Sequence, residues 1–595
     1  MKPTIARKAA IARKTKIVSR LVKLQAVLLV VLPSLLNESV AEEVVMEPPA
    51  PADHLFTGKH IITMHPGFDK VRRARASALA IRGEEIIWMG DERHAGLVTG
   101  PETQIHERGD KALLPGFIDA HGHLVFLGAM STNANLAPPP VGPVDSFARL
   151  QEQLRTHIEE NQIPAGSWVV GFGYDDSLMD ERDHPDRRVL DEVSTTHPIA
   201  LMHVSGHLAT ANSLGLERAG IDSETADPRG GFIRRYPDSN QPTGVLEETA
   251  TYPLRQQAMQ PRGNPMDIVR NALATYASSG ITTGQDGGAD RSTLQLLQGA
   301  ASVELLNLDV IAYHIVSLAD LSAVDGIAFG RYQNRLKVGG VKMMLDGSPQ
   351  GKTAYLTEPY HVPPPGQGDD YRGYPILPDK AVDAMFAAYL DARIPILAHA
   401  NGDAAADQLI NAVDRAAPGA GHRTVMIHAQ TVREDQLDRM AELGIIPSFF
   451  SAHVFFWGDW HRDSVLGPER GRRISPTRSA WNRQMPFTLH NDAPIVPPDM
   501  IRLIWATTNR KTRTDQVLGQ EQRLTTFEAL SAVTRMAAYQ SFEEDRKGTL
   551  DVGKQADLVV LSENPLNMDR ADLLDLKVME TWSRGSQVFS AEAQQ

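Results

Sequence analysis

Two histidines separated by one glycine, His121 and His123, end the apolar stretch LLPGFIDAHGHL at residues 113–124. Residues two apart on an extended strand face the same side, and a divalent metal needs donor nitrogens about 2.0–2.1 Å from one ion. Strand histidines serve equally well inside a core, so the pair acquires meaning only from partners. Candidate partners follow in order: His399 in ILAHANGD, His428 in TVMIHAQTV, and His490 and Asp492 in PFTLHNDAP. The chain contains no cysteine, which excludes disulfides, thiolate ligands, a Cys nucleophile and a lipoprotein anchor. Any metal must therefore be held by His, Asp, Glu or a modified Lys. Bound to such a set, a divalent ion lowers the pKa of its water to about 7 and supplies hydroxide near neutral pH.

Those residues can meet only if separate strands end on one face. ITTGQDGG, GGVKMMLDGS, IPILAHANGD, TVMIHAQTV, IIPSFFSAHV and PFTLHNDAP are apolar runs, separated in several places by amphipathic stretches such as DKAVDAMFAAYLDA and REDQLDRMAELG. This βα repetition predicts an α/β fold, a (β/α)8 barrel of the triosephosphate isomerase type. An open doubly wound sheet is the alternative, but no G-x-G-x-x-G opens a helix after a first strand. Numbered along the predicted barrel, His121 and His123 follow the first strand and Asp286 the third. Lys342 and Asp346 lie in or after the fourth, His399 ends the fifth, His428 the sixth, His453 the seventh, and His490 and Asp492 the eighth. On a barrel these ends converge on one mouth.

Short alternating strands with Gly turns at 53–115 and 546–592 are expected to pair into a small composite β-sandwich built from both chain ends. Residues 116–137 start the barrel, 138–262 form an inserted subdomain with early barrel elements, and 263–545 complete the barrel. Residues 1–41 read as a Sec-type signal peptide: a basic run, the apolar core LQAVLLVVLPSLL and small residues at Ser39-Val40-Ala41. The apolar run is short of the ~20 residues a spanning helix needs, and Pro33 interrupts it. Export to the periplasm or medium is expected, without stable membrane insertion after cleavage. Removing eight basic residues and Glu38 takes the net charge from −13 to −20, which leaves no electrostatic case for nucleic acid.

The segments PGFIDAHGHL, ILAHANGDAAAD, IHAQTV, LHNDAPIVP and GTLDVGKQADLVVL resemble the amidohydrolase superfamily. SGHLATANSLGL and KMMLDGSPQGKTAYL point to its YtcJ-like (Amidohydro_3) branch, and the likeness spans essentially the whole mature chain. The resemblance implies zinc or a similar divalent ion, one or two per chain, and hydrolysis of an amide-like bond in a small molecule. It also implies roles: His121 and His123 as first-strand ligands, His399 and His428 as fifth- and sixth-strand ligands, and Asp492 as the carboxylate that binds metal and handles protons. Lys342 matches a position where relatives carry a carboxylated lysine bridging two ions. Its other reading is a salt bridge to Asp346 or Glu248.

Further assignments stay open between two uses. His207 either stabilises the oxyanion of a tetrahedral intermediate or bonds the backbone, and His490 is either a ligand or a support for one. Phe455, Phe456, Trp457 and Trp460 either wall an apolar substrate pocket or pack against the insertion, and GYDDS at 173–177 either reaches the mouth or is a plain turn. An ester or lactone hydrolase would use the same site. A binding or regulatory protein on a decayed scaffold should have lost a ligand, and here every matched position is filled. Superfamily relatives are often dimers, so the resemblance leaves a homodimer open, although the sequence shows no interface signature.

Overall fold

The computed structural model describes residues 50–65, 76–259, 264–317, 319–417, 419 and 421–594; the signal-peptide assignment at 1–41 lies outside them. Eight parallel strands form one curled sheet in chain order: β1 (Phe117–Ile118), β2 (Ile281–Ala289), β3 (Asp309–Ile315), β4 (Leu336–Met344), β5 (Ile396–Ala400), β6 (Val425–His428), β7 (Ile446–Phe449) and β8 (Thr488–Leu489). The first and last strands are tied together just beyond their ends, where Asp492 N–H donates to the His121 carbonyl at 3.1 Å and His123 N–H to the Ala493 carbonyl at 2.7 Å. These bonds close the barrel beside the residues that matter.

One expectation is corrected. Asp286 lies on β2, not on a third strand, because the strands of the insertion pair among themselves. The true third strand, DVIAYHI, has His314 near its end, but that ring donates through Nδ1 to the Ala289 carbonyl at 2.9 Å and does not join the cluster at the mouth.

Helices form where expected. Asp379–Asp391 buries Val382, Met385, Phe386, Tyr389 and Leu390, an i, i+3, i+4, i+7 stripe against the sheet. Glu434–Leu443 stops at Gly444, whose φ of 73° is the left-handed conformation that ends a helix at low cost in glycine.

The insertion is a six-stranded mixed sheet in the order Gly231–Arg235, Pro242–Glu248, Leu208–Ala211, Ile199–His203, Val169–Tyr174 and Ala134–Asn135. Its edge strand comes from residues assigned to the barrel start, so the insertion begins a little before 138. At the chain ends two sheets form. Ala112–Pro115 pairs with Leu558–Leu561 in a five-stranded sheet composed of both termini, as expected. A four-stranded sheet, however, uses His54–Thr57, Ala78–Arg82, Glu85–Gly90 and Gln104–Glu107 alone, so the N-terminal part does make a sheet of its own. No helix among the described residues is long and apolar enough to cross a membrane.

Candidate active site and metal centre

The barrel's C-terminal mouth collects His121, His123, Lys342, His399, His428, His490 and Asp492, joined by His207 from the insertion. Ring centroids of His121 lie 5.1 Å from His123, 5.8 Å from His428 and 5.4 Å from His490. His428 lies 4.5 Å from His399, which lies 4.9 Å from His207. All are buried except His123 and His207, whose side chains are 28% and 13% exposed.

Glycine makes this packing possible at two points. A Cβ at Gly122 would sit 2.5 Å from Tyr276 Oη and 2.7 Å from Asp119 Oδ2, so the residue between the two histidines must be glycine for the chain to pass that bonded pair. A Cβ at Gly287, on β2, would lie 2.3 Å from both Nδ1 and Cε1 of His121.

The histidines are braced by hydrogen bonds to their ring nitrogens, His121, His399 and His490 at both. His121 Nδ1 donates to Gln285 Oε1 at 2.9 Å, and its Nε2 accepts from Lys342 Nζ at 3.0 Å. His399 Nδ1 donates to Asp346 Oδ1 at 3.1 Å. His428 Nδ1 pairs with His490 Nε2 at 3.2 Å, and His490 Nδ1 with Ser448 Oγ at 2.8 Å. His207 Nδ1 meets Glu248 Oε2 at 2.8 Å. Holding one ring nitrogen fixes the tautomer and aims the other, as outer partners of metal-binding histidines do. His490 is thus placed as a support for His428, and His207 bonds a carboxylate rather than the backbone.

The donor set fits a divalent cation. Nε2 of His123 and of His121 stand 3.2 and 3.5 Å from Asp492 Oδ1, and one donor atom from each residue lies within 4.8 Å of the others. Asp492 Oδ1 is buried yet accepts no hydrogen bond, a costly state for a carboxylate oxygen unless something else binds it. Imidazole nitrogen and carboxylate oxygen without thiolate suit zinc and its first-row neighbours. The backbone is strained at the same place: His428 and Asp492 have φ of 74° and 55°, and such conformations persist at cost where function requires them.

Burial sets the charge states. It pushes His121, His399 and His428 well below the ordinary imidazole range, reinforced by Lys342 and by neighbouring imidazoles, which keeps the three rings neutral. Burial raises the Asp492 carboxyl, but His123, His490 and Lys342 outweigh it and hold the group below its usual value. Burial pulls Lys342 down to about 8 against the opposing pull of Asp492. Burial lifts Asp346 to about 7 although Asn401, Gly402 and Tyr355 donate backbone N–H groups to it.

Several expectations are revised. Lys342 bonds His121 and not Asp346 or Glu248, whose carboxylates are turned to His399 and His207. His453 opens the helix His453–Trp460, with its Nδ1 3.0 Å from His461 Nε2, and takes no part in the cluster. Trp457 Nε1 donates to Asp175 Oδ2 at 2.7 Å, so GYDDS does reach the β7 loop, and Trp460 Nε1 donates to the Gln350 carbonyl at 3.1 Å. Only Phe456 of the four aromatics borders the cavity of about 230 Å³ beside Asn491, which Pro140, Val141, Ala452 and Val496 also line. A second group, Asp175, Asp176 and His203, brings ligand-type atoms equally close. There Asp175 is saturated by Ser177 and Trp457, and His203 by Asp176 and Ser205, which makes it a hydrogen-bonded brace.

A profile of the amidohydrolase family (Amidohydro_3) matches residues 109–589, most of the chain. The chain belongs to the amidohydrolase family. It is 26% identical over 535 residues to N-substituted formamide deformylase of Arthrobacter pascens, covering 86% of this chain and 95% of that one. "Putative amidohydrolase YtcJ" of Bacillus subtilis (strain 168) is 26% identical over 506 residues, covering 82% of this chain and 91% of that one. The fold also matches an uncharacterised metal-dependent hydrolase of Pyrococcus horikoshii OT3, with a TM-score of 0.67 and 23% identity over 87% of this chain and 99% of that one. Within the family frame, Gln285, Asp346 and Glu248 emerge as the outer partners that sequence reasoning missed or misassigned. Each meets its histidine from 164, 53 and 41 residues away, so no local pattern announces them.

Proposed function

We propose that the protein is an exported metal-dependent amidohydrolase that cleaves the C–N bond of a small N-acyl or N-formyl compound. The observation that carries this reading is the buried, unpartnered Oδ1 of Asp492 facing the Nε2 atoms of His121 and His123. His121, His123, His399, His428 and Asp492 would hold the ion, zinc or a similar divalent metal. Lys342, whose burial favours the neutral amine, is suited to carboxylation and a second ion. The metal supplies Lewis acidity and a nucleophile usable at neutral pH.

The chain's own groups account for the rest. Asp492, kept ionised, accepts the proton released on attack and returns it to the departing amine. His207, whose pKa burial would lower but Glu248 raises on balance, acts as the imidazolium: its Nδ1–H stays on Glu248 and its Nε2–H donates a hydrogen bond to the carbonyl oxygen as negative charge develops there. Asp346, Gln285 and His490 keep the imidazoles aimed, and the apolar wall at Phe456 and Val496 receives the acyl or amine substituent. The names of the two relatives agree with amide chemistry.

The test is hydrolysis of paired N-formyl amines, N-acyl amines and matching esters by chelator-treated protein with and without added Zn2+. Amide turnover that appears only with metal is expected. Ester or lactone turnover without amide turnover would replace the substrate assignment, and no metal-dependent turnover would refute the reading. Export predicts a mature N-terminus at Glu42, which the intact mass of secreted protein checks.

A further inference from the structure

His207 is the one candidate catalytic side chain that the insertion, rather than the barrel, brings to the mouth, and the way it is held is unusually specific. Glu248 grips it twice: its backbone N–H donates to the His207 carbonyl at 2.9 Å and its Oε2 accepts from His207 Nδ1 at 2.8 Å. Both residues sit at ends of neighbouring antiparallel strands, in the register that pairs Leu208 with Glu247. Glu248 adopts φ 49° and ψ −121°, a conformation that is strained for a non-glycine residue. The loop after β4 is shaped around its carboxylate, because a Cβ at Gly347 would lie 2.2 Å from Glu248 Oε1. That Oε1 is buried without a hydrogen-bond partner. Among the described residues no Lys or Arg pairs with Glu248, whereas the adjacent Glu247 is bonded to Arg234 at 2.7 Å and to Tyr374 at 3.3 Å.

A carboxylate serving only to fasten the insertion would be expected in the arrangement of Glu247, matched by a cation and donors. Glu248 instead makes no direct ion pair with a Lys or Arg among the described residues, feeling Arg255 only through its electrostatic field, tolerates strain and spends its one side-chain bond on an imidazole that faces His399. We propose that Glu248 is a positioning residue for His207: by holding Nδ1–H it leaves Nε2 as the nitrogen presented to the substrate, so that the insertion supplies one catalytic side chain together with the group that aims it and is more than a cover. This rests on the hydrolase reading above.

The experiment is a double-mutant cycle with Glu248→Ala, Glu248→Gln, His207→Asn and the Glu248→Ala/His207→Asn pair, measuring kcat, KM, metal content and melting temperature on the metal-loaded enzyme. Glu248→Ala is expected to lower kcat about 10–100-fold with KM and metal content little changed, and Glu248→Gln, which keeps an acceptor, to recover part of the loss. Adding Glu248→Ala to His207→Asn should cost no more than about 2-fold further, since a residue acting through His207 has nothing left to orient. Losses that multiply, or metal lost together with activity, would overturn the proposal, the second by making His207 a ligand. An activity-independent readout separates this from the hydrolase reading: the low-field Nδ1–H proton signal of His207 in 15N-histidine-labelled protein should vanish in Glu248→Ala and persist in Glu248→Gln. If wild type hydrolyses nothing, the functional reading fails and this signal alone decides, its persistence in Glu248→Ala refuting the positioning role.

Discussion

Replacing Gly287 by alanine tests whether His121 is built to a metal's tolerance. The new Cβ would lie 2.3 Å from Nδ1 and Cε1 of His121, where non-bonded contacts settle near 3.5–4.0 Å. Relief requires the ring or β2 to move by roughly 1 Å. The ring is fully buried and pinned at both nitrogens by Gln285 and Lys342, so it cannot swing away freely. Metal–ligand distances tolerate about ±0.2 Å, so the displacement exceeds what the bond accepts. The expected cost is about 1–3 kcal/mol of folding stability from overpacking and a 10–100-fold weaker metal affinity. Gly288→Ala is the graded control: its Cβ would stand 3.2 Å from the ring of His123, a partly exposed side chain that can give. Competition with a chromophoric chelator measures the affinities, and melting of apo and loaded protein separates folding from binding. Wild-type affinity in Gly287→Ala, or a larger loss in Gly288→Ala, would refute the argument.

Three further outcomes are expected. Trp457→Phe strips the indole donor from buried Asp175 and should cost about 1–3 kcal/mol in denaturant titration, whereas Phe456→Ala, at the cavity wall, should raise KM for apolar substrates more than it lowers stability. Burial holds His184 and His461 near 3 in the folded chain, so between pH 6.5 and 3 the unfolded chain binds more protons. Stability should therefore be fully present above 6.5 and fall with decreasing pH by about 1.4 kcal/mol per group and pH unit. His461→Asn should flatten that slope; an unchanged slope would contradict the assignment.

The sequence was legible where chemistry coincides with a strand end. His121, His123, His399, His428 and Asp492 each follow an apolar run, and the barrel brings them to one mouth. The count of strands was harder to read, because β3 ends without a site residue and the insertion's strands look like barrel strands in isolation. Partners of the histidines were the least legible. Asp346 looked like a lysine's counter-ion, since a carboxylate just past the end of the strand that carries Lys342 bears no mark of the distant His399 it serves. Trp457 and Trp460 read equally as a pocket wall or as packing against the insertion, and their indole N–H bonds to Asp175 and Gln350 show that Trp457 fastens the insertion and Trp460 the β4 loop.

The most direct measurement is metal content by plasma mass spectrometry on wild type and Lys342→Ala, with amide hydrolysis run on the same samples. The account predicts about one or two divalent ions per wild-type chain, fewer in the variant if Lys342 carries a bridging carboxylate, and activity that follows the metal. Wild-type protein that is active and free of metal would contradict it.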